Sequence, residues 1–364
     1  MVELSKILAG AIKLGASDIH IVEHEVPYFR IHGELKRLQT SPTSAEDMER
    51  YVRELLPTSH LIDTLQQNRG VDASYQLEDT ARFRVVVYYQ DNALCITMRL
   101  IPMAIPTLEE LEMPEILKDV ALYHRGMVLV TGITGSGKST TLAAMLNHLN
   151  LSEARRIITI EDPIEFRFKR HKCLITQREV GADVPNFPTG LRQSLRADPD
   201  VILIGEMRDV ETIQTAIKAS ETGHLVYSTL HTTSALHTIQ RIIGYFPQDM
   251  HDLIREQVAL NLRAAMTQRL VKRCDRPGRI AATELLIVNN VVRKLILDDR
   301  ILDVQPVIKS RADGMRLMDQ SLADHVRNRK VSLEEAQRYC DDFYALKRYI
   351  AGIESSGDAG GIIG

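Results

Sequence analysis

The feature that most constrains the fold of this chain is a glycine-rich loop, Gly132-Ile133-Thr134-Gly135-Ser136-Gly137-Lys138-Ser139. An apolar run, Met127 to Val130, precedes the loop, and a helix-compatible run, Thr140 to Leu149, follows it. Glycines let consecutive backbone N–H groups turn inward around an anion, and the N-terminus of a helix adds partial positive charge. The order of buried strand, loop and helix therefore predicts a phosphate-binding loop, with an ordinary glycine turn as the alternative.

Two side chains of this loop are predicted to act on a bound nucleotide. Lys138 is expected to reach the β- and γ-phosphates, and the Ser139 hydroxyl is expected to ligate Mg²⁺. These assignments place a nucleoside triphosphate and Mg²⁺ at the amino end of the following helix.

Length and composition describe a globular protein with more than one domain. The chain has 364 residues, of which 44% are hydrophobic and 26% charged, so we expect two or three domains. Its net charge of −3 disfavours a nucleic-acid translocase and gives no general attraction to an anionic membrane. We interpret one basic run as a solvated helix end, with a contact surface as the alternative. This run comprises Arg269, Lys272, Arg273, Arg276 and Arg279.

The cysteines and apolar segments indicate a cytoplasmic protein. The cysteines stand far apart without a C-x-x-C pair, which is typical of reduced buried thiols. They are Cys95, Cys173, Cys274 and Cys340. Lys6 and Lys13 interrupt the apolar steps at the N-terminus, and nowhere do about eighteen apolar residues follow one another. We therefore expect membrane association through a partner alone.

Residues 1–101 are predicted to form a small α+β domain. Apolar residues at helical spacing predict an N-terminal helix that ends at Gly15. Thr43-Ser44-Ala45-Glu46 is interpreted as a capping box for a helix that runs to about Leu56. Alternating runs predict strands at Asp18 to Glu23, Tyr28 to Gly33, Arg82 to Gln90 and Leu94 to Ile101. Two prolines make residues 102–106 the predicted linker.

Residues 107–351 are predicted to form a larger α/β domain. Its short apolar strands alternate with helical patterns, which is typical of a mostly parallel sheet with helices on both faces. The predicted strands are Met127 to Thr131, Ile157 to Ile160, Val201 to Ile204 and Leu225 to Thr229. Beyond about Gln248 the pattern becomes helical, apart from a strand at Ile280 to Ile287, and the tail 352–364 is predicted to be disordered.

Carboxylates follow two of these strands, at the edge where ligands of open α/β sheets bind. Glu206 follows the strand Val201 to Ile204 and is predicted to act on the metal side of the nucleotide, with a solvated strand end as the alternative. Glu161, Asp162 and Glu165 lie so close in the chain that their charges repel one another. At least one of these three is expected to act on water or Mg²⁺, while others can cap the following loop.

Two histidines flank the predicted strand Leu225 to Thr229. Seven extended residues span about 23 Å, so His224 and His231 are not expected to share one metal ion. A histidine after a strand end, beside a γ-phosphate, can sense that phosphate by donating a hydrogen bond. A structural role is the alternative for both residues.

Three arginines lie on predicted strands of the N-terminal domain: Arg82, Arg84 and Arg99. Arginine offered to a phosphate from another domain or subunit accelerates nucleotide hydrolysis by about 10³- to 10⁵-fold. Composition alone favours the simpler interpretation that these arginines face solvent.

Together these segments resemble the type IV pilus retraction ATPases, the PilT/PilU branch of the secretion ATPase superfamily. The resemblance covers nearly the whole chain and includes Gly15-Ala16-Ser17-Asp18-Ile19-His20 near its start. Ile160-Glu161-Asp162-Pro163-Ile164-Glu165 matches the aspartate box, and Gly205-Glu206-Met207-Arg208 matches the Walker B region. The stretch from Thr222 to Ser234 matches the histidine box.

The resemblance implies a homohexamer in which a PAS-like N-terminal domain and a RecA-like ATPase domain bind ATP and Mg²⁺ between them. It implies that Glu165 is the catalytic carboxylate and that Glu206 and Ser139 act on the Mg²⁺ side. His231 is then a nucleotide sensor and, like Arg84 and Arg99, belongs to the catalytic set. The residues implied to bind nucleotide are Gly132, Ile133, Thr134, Gly135, Ser136, Gly137, Lys138, Ser139, Thr140 and His224.

The implied biological role is pilus retraction at the cytoplasmic side of the inner membrane, on a pilus platform protein. Two departures from the family pattern favour an accessory PilU-type ATPase that works with a paralogous motor. The retraction motif usually written AIRNLIR appears as Val291-Val292-Arg293-Lys294-Leu295-Ile296, which keeps the arginine and loses Ala and Asn. The stretches Tyr88 to Asn92 and Ile105 to Leu111 also look more like the accessory type.

Two further functions stay open beside the retraction motor and its accessory. An assembly or type II secretion ATPase commonly has a longer N-terminal region and a paired-cysteine zinc module, neither of which is found in this sequence. A catalytically weak protein that binds nucleotide to hold a ring together differs from both motors, because it needs no turnover.

Overall fold

A computed structural model describes residues 3–31, 33–77, 80–101 and 104–353 of the chain. The chain divides into two compact units. The first comprises Met1–Ile105 and Pro163–Arg167, and the second comprises Pro106–Asp162 and Phe168–Gly364. Part of the predicted linker, Pro102 and Met103, and residues 354–364 of the predicted tail lie outside the described residues.

An antiparallel sheet forms the centre of the first unit. Its strands are β1 (Ala16–Val22), β2 (Tyr28–Ile31), β3 (Glu34–Arg37), β4 (Gly70–Leu77), β5 (Ala81–Gln90) and β6 (Ala93–Ile101). Its helices are α1 (Leu4–Lys13), α2 (Ala45–Leu55) and α3 (Ser59–Asn68). The strands lie in the order β3-β2-β1-β6-β5-β4, and their alternating side chains place one face in a core with the helices. Phe29, Tyr51 and Phe83 are among the buried residues of that core.

A mostly parallel sheet forms the centre of the second unit. Its strands are β7 (Gly126–Thr131), β8 (Arg156–Glu161), β9 (Leu174–Glu179), β10 (Val201–Ile204), β11 (Leu225–Leu230), β12 (Leu262–Lys272) and β13 (Arg279–Ile287). They lie in the order β13-β12-β7-β11-β10-β8-β9, and of these described strands β13 alone runs antiparallel to its neighbour. β7, β10 and β11 are buried along their whole length, as expected for parallel strands covered on both faces.

Helices cover this sheet and continue beyond it. Those that precede or alternate with the strands are α4 (Ile116–Ala121), α5 (Lys138–Ser152), α6 (Phe187–Ser194), α7 (Val210–Glu221), α8 (Ala235–Gly244) and α9 (His251–Asn261). Those that follow the sheet are α10 (Asn290–Leu297), α11 (Val304–Lys309), α12 (Met318–Arg327), α13 (Leu333–Tyr339) and α14 (Phe343–Ile350). No helix among the described residues is both long and apolar enough to cross a bilayer. The predicted α/β architecture with a smaller α+β unit is confirmed.

The structure corrects the prediction that the chain is almost wholly helical beyond Gln248. Residues 262–272 form β12, which is parallel to β7 and antiparallel to β13. Leu, Ala, Met, Gln and Arg favour helices locally, but pairing on both sides overrides that preference. The basic run that starts at Arg269 therefore lies on β12, on the turn after it and at the start of β13, and its interpretation as a helix end was wrong.

The capping box of α2 uses residues one position later than predicted. The Ser44 hydroxyl accepts a hydrogen bond from the Asp47 backbone N–H at 3.2 Å, and the Asp47 carboxylate accepts from the Ser44 N–H at 3.4 Å. Ser44 has the extended backbone of an N-cap residue, with ψ of 163°. The reciprocal pair is therefore Ser44 and Asp47, rather than Thr43 and Glu46.

Glu284 on β13 is a carboxyl group buried within the second unit. It is 4% exposed, and its Oε1 accepts a hydrogen bond from the Ala235 backbone N–H at 2.6 Å. Burial raises its pKa from an ordinary 4.5 to about 7, although the hydrogen bond from Ala235 acts in the opposite direction. The neighbouring Asp341 adds to the rise in pKa.

We expect Glu284 to make the protein less stable as the pH rises from 5 to 8. The unfolded chain releases this proton near pH 4.5 and the folded chain near pH 7, so the stabilising contribution is complete below the first value and lost above the second. The loss corresponds to roughly 2 to 3 kcal/mol in the free energy of unfolding. Urea unfolding of wild type and Glu284→Gln at both pH values measures it. An equal fall in both proteins would contradict the prediction.

Candidate nucleotide-binding site

Two positions of the loop between β7 and α5 need glycine. Their backbone conformation favours glycine, and a side chain at either position would collide with β12. Gly132 has φ of 137° and Gly137 has φ of 90°. A Cβ on Gly132 would lie 2.5 Å from the Gln268 carbonyl oxygen, and one on Gly137 would lie 2.9 Å from Gln268 Nε2. Any larger residue would therefore push the loop away from β12 and alter its curvature.

Lys138 begins α5 and directs its charge into the loop. Its Nζ donates to the carbonyl oxygens of Gly132 at 2.9 Å and Ile133 at 3.1 Å. The side chain is buried, so this ammonium group lies among backbone dipoles rather than in bulk water. Ser139, in the same first turn of α5, is exposed. The structure thus places a cation and a hydroxyl at the amino end of one helix, as the sequence predicted.

The loop also contains a buried hydroxyl with unused hydrogen-bonding capacity. Ser136 is 2% exposed, and its Oγ has no hydrogen-bond partner within the described part of the chain. A buried polar atom without a partner is costly, and a phosphate oxygen is a suitable acceptor for this hydroxyl. The residues present therefore fit a phosphate group.

β12 braces the loop through Gln268, a residue that sequence reasoning missed. The Gln268 side chain is 1% exposed and donates from Nε2 to the Ser136 carbonyl oxygen. Its Oε1 accepts from the Thr141 hydroxyl on α5 at 3.0 Å. Gln268 thereby ties the loop and the following helix to the neighbouring strand. No local pattern signals this contact, because 127 residues separate the two side chains.

A cavity of about 310 Å³ adjoins the loop within the second unit. It begins at Gly137 and Thr140, and its apolar walls include Leu111, Leu270 and Ile280. Three arginines of the basic run contribute to its lining: Arg273, Arg276 and Arg279. An apolar slot with cationic groups, next to a phosphate-binding loop, is suited to the base and sugar of a nucleotide.

The network around Glu112 fixes one wall of this cavity. Glu112 accepts hydrogen bonds from Arg273 at 2.5 Å and from Arg276 at 2.6 Å, and it also pairs with Lys330. Burial acts to raise the pKa of Glu112, but the hydrogen bonds from Lys330 and Arg273 outweigh it and lower the pKa. Arg273 is consequently held in one position beside the cavity.

Glu206 and His231 come together at the carboxyl edge of the same sheet. Glu206 follows β10 and His231 follows β11, and these parallel neighbours end side by side. His231 Nε2 lies 3.4 Å from Glu206 Oε2, and Arg208 pairs with the other carboxylate oxygen. The Glu206 side chain is 12% exposed, whereas that of His231 is half exposed and open to a ligand. Because the loop follows β7, next to β11, all these groups lie at one edge.

His224 lies at the opposite edge of the sheet from the phosphate-binding loop. It precedes β11, whereas the loop follows the parallel strand β7, whose residue Gly126 pairs with Leu225. His224 Nδ1 lies 2.9 Å from the Ala219 carbonyl oxygen and 3.1 Å from the Thr222 hydroxyl, at the end of α7. The structure therefore does not bring His224 to the loop of its own chain, and the distance between the two edges is about 20 Å.

The carboxylates of the acidic cluster belong to different units: Glu161 to the second and Glu165 to the first. Glu161 ends β8 and accepts hydrogen bonds from Thr159 at 2.6 Å and from Gln177 at 3.1 Å. Glu165 is half-buried and lies in the segment Pro163–Arg167, which belongs to the first unit. Among the described residues, no three His, Cys, Asp or Glu side chains are placed to hold a metal ion together. The catalytic role of Glu165 stays a prediction.

Arg84 and Arg99 are neighbours on the sheet of the first unit. They pair directly across β5 and β6, and both are exposed. Arg99 donates to Asp18 at 2.8 Å, and Arg84 donates to Asp72 at 3.3 Å. Burial acts to raise the pKa of Asp18, but the hydrogen bonds from Arg99 and Ser17 outweigh it and lower the pKa. The two guanidinium groups therefore lie side by side at the surface of this sheet, and each is paired with a carboxylate.

Arg82, the third arginine of these strands, does not face solvent as the composition favoured. It is 3% exposed and donates to the Ser74 hydroxyl at 2.9 Å. Arg82 therefore differs in its surroundings from Arg84 and Arg99, although all three lie on one face by alternation.

The sheet, the loop after β7 and the carboxylate after β10 define a P-loop nucleotide-binding protein. Residues 2–338 match the family described as type II/IV secretion system protein, and the chain belongs to that family.

Several curated relatives are similar over nearly their whole length. A twitching motility protein of Neisseria gonorrhoeae is 44% identical over 86% of this chain and 83% of its own. The type IV pilus retraction ATPase PilT of Pseudomonas aeruginosa is 40% identical, covering 92% of this chain and 97% of its own. The type IV pilus ATPase PilU of the same organism is 37% identical, covering 98% and 94%. The predicted resemblance to the PilT/PilU branch is confirmed.

A solved structure agrees with the fold. A crystal structure of the pilus retraction motor PilT with bound ADP superimposes with a TM-score of 0.90 at 38% identity. The match covers 96% of this chain and 100% of the other. The similarity thus extends to both units of the chain.

Proposed function

We propose that this protein is an ATP-hydrolysing motor that drives retraction of type IV pili. The observation that carries the proposal is the loop from Gly132 to Ser139, where Lys138 and the Ser136 hydroxyl converge at the start of α5. Among the described residues this hydroxyl has no hydrogen-bond partner. Family membership and the similarity to PilT support pilus retraction as the process that the motor drives.

In this proposal different residues of the second unit bind different parts of the nucleotide. Backbone N–H groups of the loop and Lys138 hold the phosphates, and the cavity beside Leu270 takes the base. The Ser139 hydroxyl and the Glu206 carboxylate would hold Mg²⁺, since both are oxygen ligands of the kind that this ion prefers. Held there, the ion would neutralise charge that develops on the phosphates. His231, which is half exposed and lies 3.4 Å from Glu206, is placed to contact the terminal phosphate and thereby to report its presence.

Hydrolysis also needs a group that activates water, and we assign this role to Glu165. A carboxylate that orients or deprotonates the attacking water contributes about 10²- to 10⁴-fold to the rate. Glu165 is half-buried and belongs to the acidic segment that follows β8.

The active assembly in this proposal is a homohexamer in which neighbouring subunits complete one another's sites. Arg84 and Arg99 are exposed side by side, and in this proposal they exchange their partners Asp72 and Asp18 for a phosphate that is bound by a neighbouring subunit. Hydrolysis and release of phosphate then change the affinity between subunits, which produces movement through differential binding of ATP and ADP.

Mixed rings test the action of Arg84 between subunits. We expect rings mixed from Arg84→Ala and Lys138→Ala subunits to recover turnover that neither variant has alone. An Arg84→Ala subunit keeps an intact phosphate-binding loop, and a Lys138→Ala neighbour can supply the arginine that it lacks, a group worth about 10³-fold or more in rate. Arg37→Ala, which removes another exposed strand arginine, is the matched control and is expected to keep wild-type turnover by itself. No recovery of turnover in the mixed rings would contradict action between subunits.

An accessory role in retraction is the second candidate, and the region around α10 favours it. Val291-Val292-Arg293-Lys294-Leu295-Ile296 lies on α10, with Val292 and Ile296 buried and Val291 57% exposed. Arg293 is bonded to Asn290 at 3.1 Å. A deletion strain separates the two roles: excess surface pili without surface movement supports a principal motor, whereas a mild defect supports an accessory one.

The proposed location is the cytoplasmic side of the inner membrane, at the base of the pilus. The partner there is an inner-membrane platform protein, and the accessory role adds a paralogous retraction ATPase. The similarity to PilT and PilU supports this assignment. Co-purification of the platform protein with the tagged full chain tests it, and recovery of the ATPase without that protein would contradict it.

A further inference from the structure

β12 contacts two functional loops from its two faces. Gln268 points to the phosphate-binding loop and α5, as described above. The next residue, Arg269, points to the other face, because successive side chains of a strand alternate. There Arg269 donates to the Thr233 carbonyl oxygen at 3.4 Å, in the loop that follows His231. One strand thus touches both the phosphate-binding loop and the histidine loop, residues 231–234.

The same arginine is fixed by the segment between α13 and α14. Arg269 donates to Asp341 Oδ1 at 2.7 Å and to the Tyr339 carbonyl oxygen. Asp341 is in turn placed by Asp319 on α12, whose carboxylate accepts from the Asp341 N–H at 2.8 Å and from the Asp342 N–H at 2.9 Å. The C-terminal helices therefore support the guanidinium that reaches the histidine loop.

A polar row across the sheet supports the end of that loop. Thr131, Thr267 and Glu284 are cross-strand neighbours on β7, β12 and β13. The hydroxyls of Thr131 and Thr267 are 2.7 Å apart, and Glu284 accepts from the Ala235 N–H at 2.6 Å. Ala235 is the first residue of α8, so a buried carboxyl fixes the point where the histidine loop becomes a helix.

We propose that Arg269 and Glu284 are positioning residues that hold the histidine loop so that His231 stays against Glu206. Asp341 makes the C-terminal helices part of this support, which gives those helices a way to influence hydrolysis. The inference rests on the proposed function, because it acts through the role of His231 at the nucleotide. Displacement of a group at the reaction centre by about 1 Å can lower the rate about 100-fold. A small shift of the histidine loop is therefore expected to lower the rate of hydrolysis.

The first test separates positioning from nucleotide binding. In steady-state hydrolysis of Mg-ATP by the full chain, Arg269→Ala is expected to lower kcat about tenfold and to change KM less than twofold. Gln268→Ala, one residue away on the opposite face, is the matched control and is expected to raise KM. Arg269→Lys restores little activity, because a single ammonium group does not reach all three acceptors. An unchanged kcat in Arg269→Ala would overturn the inference.

Glu284 offers a second pair of variants if Arg269→Ala fails to fold. Glu284→Gln keeps an oxygen that accepts from the Ala235 N–H, whereas Glu284→Leu removes it at similar volume. We expect kcat of the glutamine variant to be at least about fivefold higher than that of the leucine variant, with similar KM values. Equal kcat values in the two variants would overturn the role of Glu284.

Combination with His231→Ala distinguishes failure of this inference from failure of the proposed function. If Arg269 acts through His231, Arg269→Ala lowers kcat little further in the His231→Ala background. Independent, multiplying effects would overturn the inference and leave the role of His231 intact. A His231→Ala variant with wild-type turnover would overturn the inference and the sensor role of His231 but leave the proposed ATPase function intact.

Discussion

Replacement of Lys138 by alanine is expected to lower ATP turnover by at least about 100-fold. Lys138 is buried, and its Nζ lies within 3.1 Å of the Gly132 and Ile133 carbonyl oxygens, in the loop that we propose binds the phosphates. Its loss removes the cation that holds the β- and γ-phosphates. The measurement is phosphate release by the purified full chain at saturating ATP.

The control for Lys138→Ala is Lys218→Ala, which removes an exposed lysine from α7 of the same unit. We expect this control to hydrolyse ATP at the wild-type rate. Equal turnover in wild type and Lys138→Ala would exclude this loop as the site of hydrolysis. Low turnover in the wild type itself, with nucleotide still bound, would favour a scaffold that uses nucleotide to hold a ring together.

Glu165→Gln is expected to bind ATP normally and to lose turnover by about 100-fold. Glutamine keeps the size of the side chain but removes its ability to accept a proton from water. Because the phosphate-binding loop is untouched, the affinity for a fluorescent ATP analogue should match that of wild type. The combination of normal affinity and lost turnover distinguishes catalysis from binding.

Glu161→Gln is the matched control for Glu165, since both carboxylates belong to the acidic cluster. Glu161 is already engaged by Thr159 and Gln177, so its substitution is expected to affect turnover much less. The reverse result, with turnover lost in the Glu161 variant and kept in the Glu165 variant, would move the catalytic role to the end of β8.

Local sequence pattern predicts the elements around the loop well, because a buried parallel strand is a short, continuous apolar run. The predicted strand Val201 to Ile204 has the bounds of β10, and the predicted runs for β7 and β11 differ from the strands by one residue. The loop is likewise recognised from its own residues, since glycine, lysine and serine spacing carries its chemistry.

Local sequence does not predict β12, because the contacts that make this segment a strand come from distant parts of the chain. Its helix-favouring residues become a strand through pairing with β7 and β13. The contacts of Gln268 with Thr141 and of Arg269 with Asp341 join residues that are 127 and 72 positions apart. Nothing in the neighbourhood of either residue indicates its partner.

The two histidines show how strand direction decides what spacing leaves open. His224 and His231 flank β11 symmetrically in the sequence, yet a parallel strand has one edge near the phosphate-binding loop and one far from it. His231 therefore joins Glu206, while His224 bonds to the end of α7. A contact between His224 and a nucleotide stays a prediction, and within its own chain His224 lies at the edge far from the phosphate-binding loop.

The most direct test of the central claim is a crystal structure of the protein with Mg²⁺ and a non-hydrolysable ATP analogue. We expect the β- and γ-phosphates to lie inside the loop from Gly132 to Ser139, with Lys138 Nζ donating to phosphate oxygens instead of the Gly132 and Ile133 carbonyls. The base should occupy the cavity beside Leu270. An analogue bound elsewhere, with Lys138 still on the two carbonyl oxygens, would contradict the account.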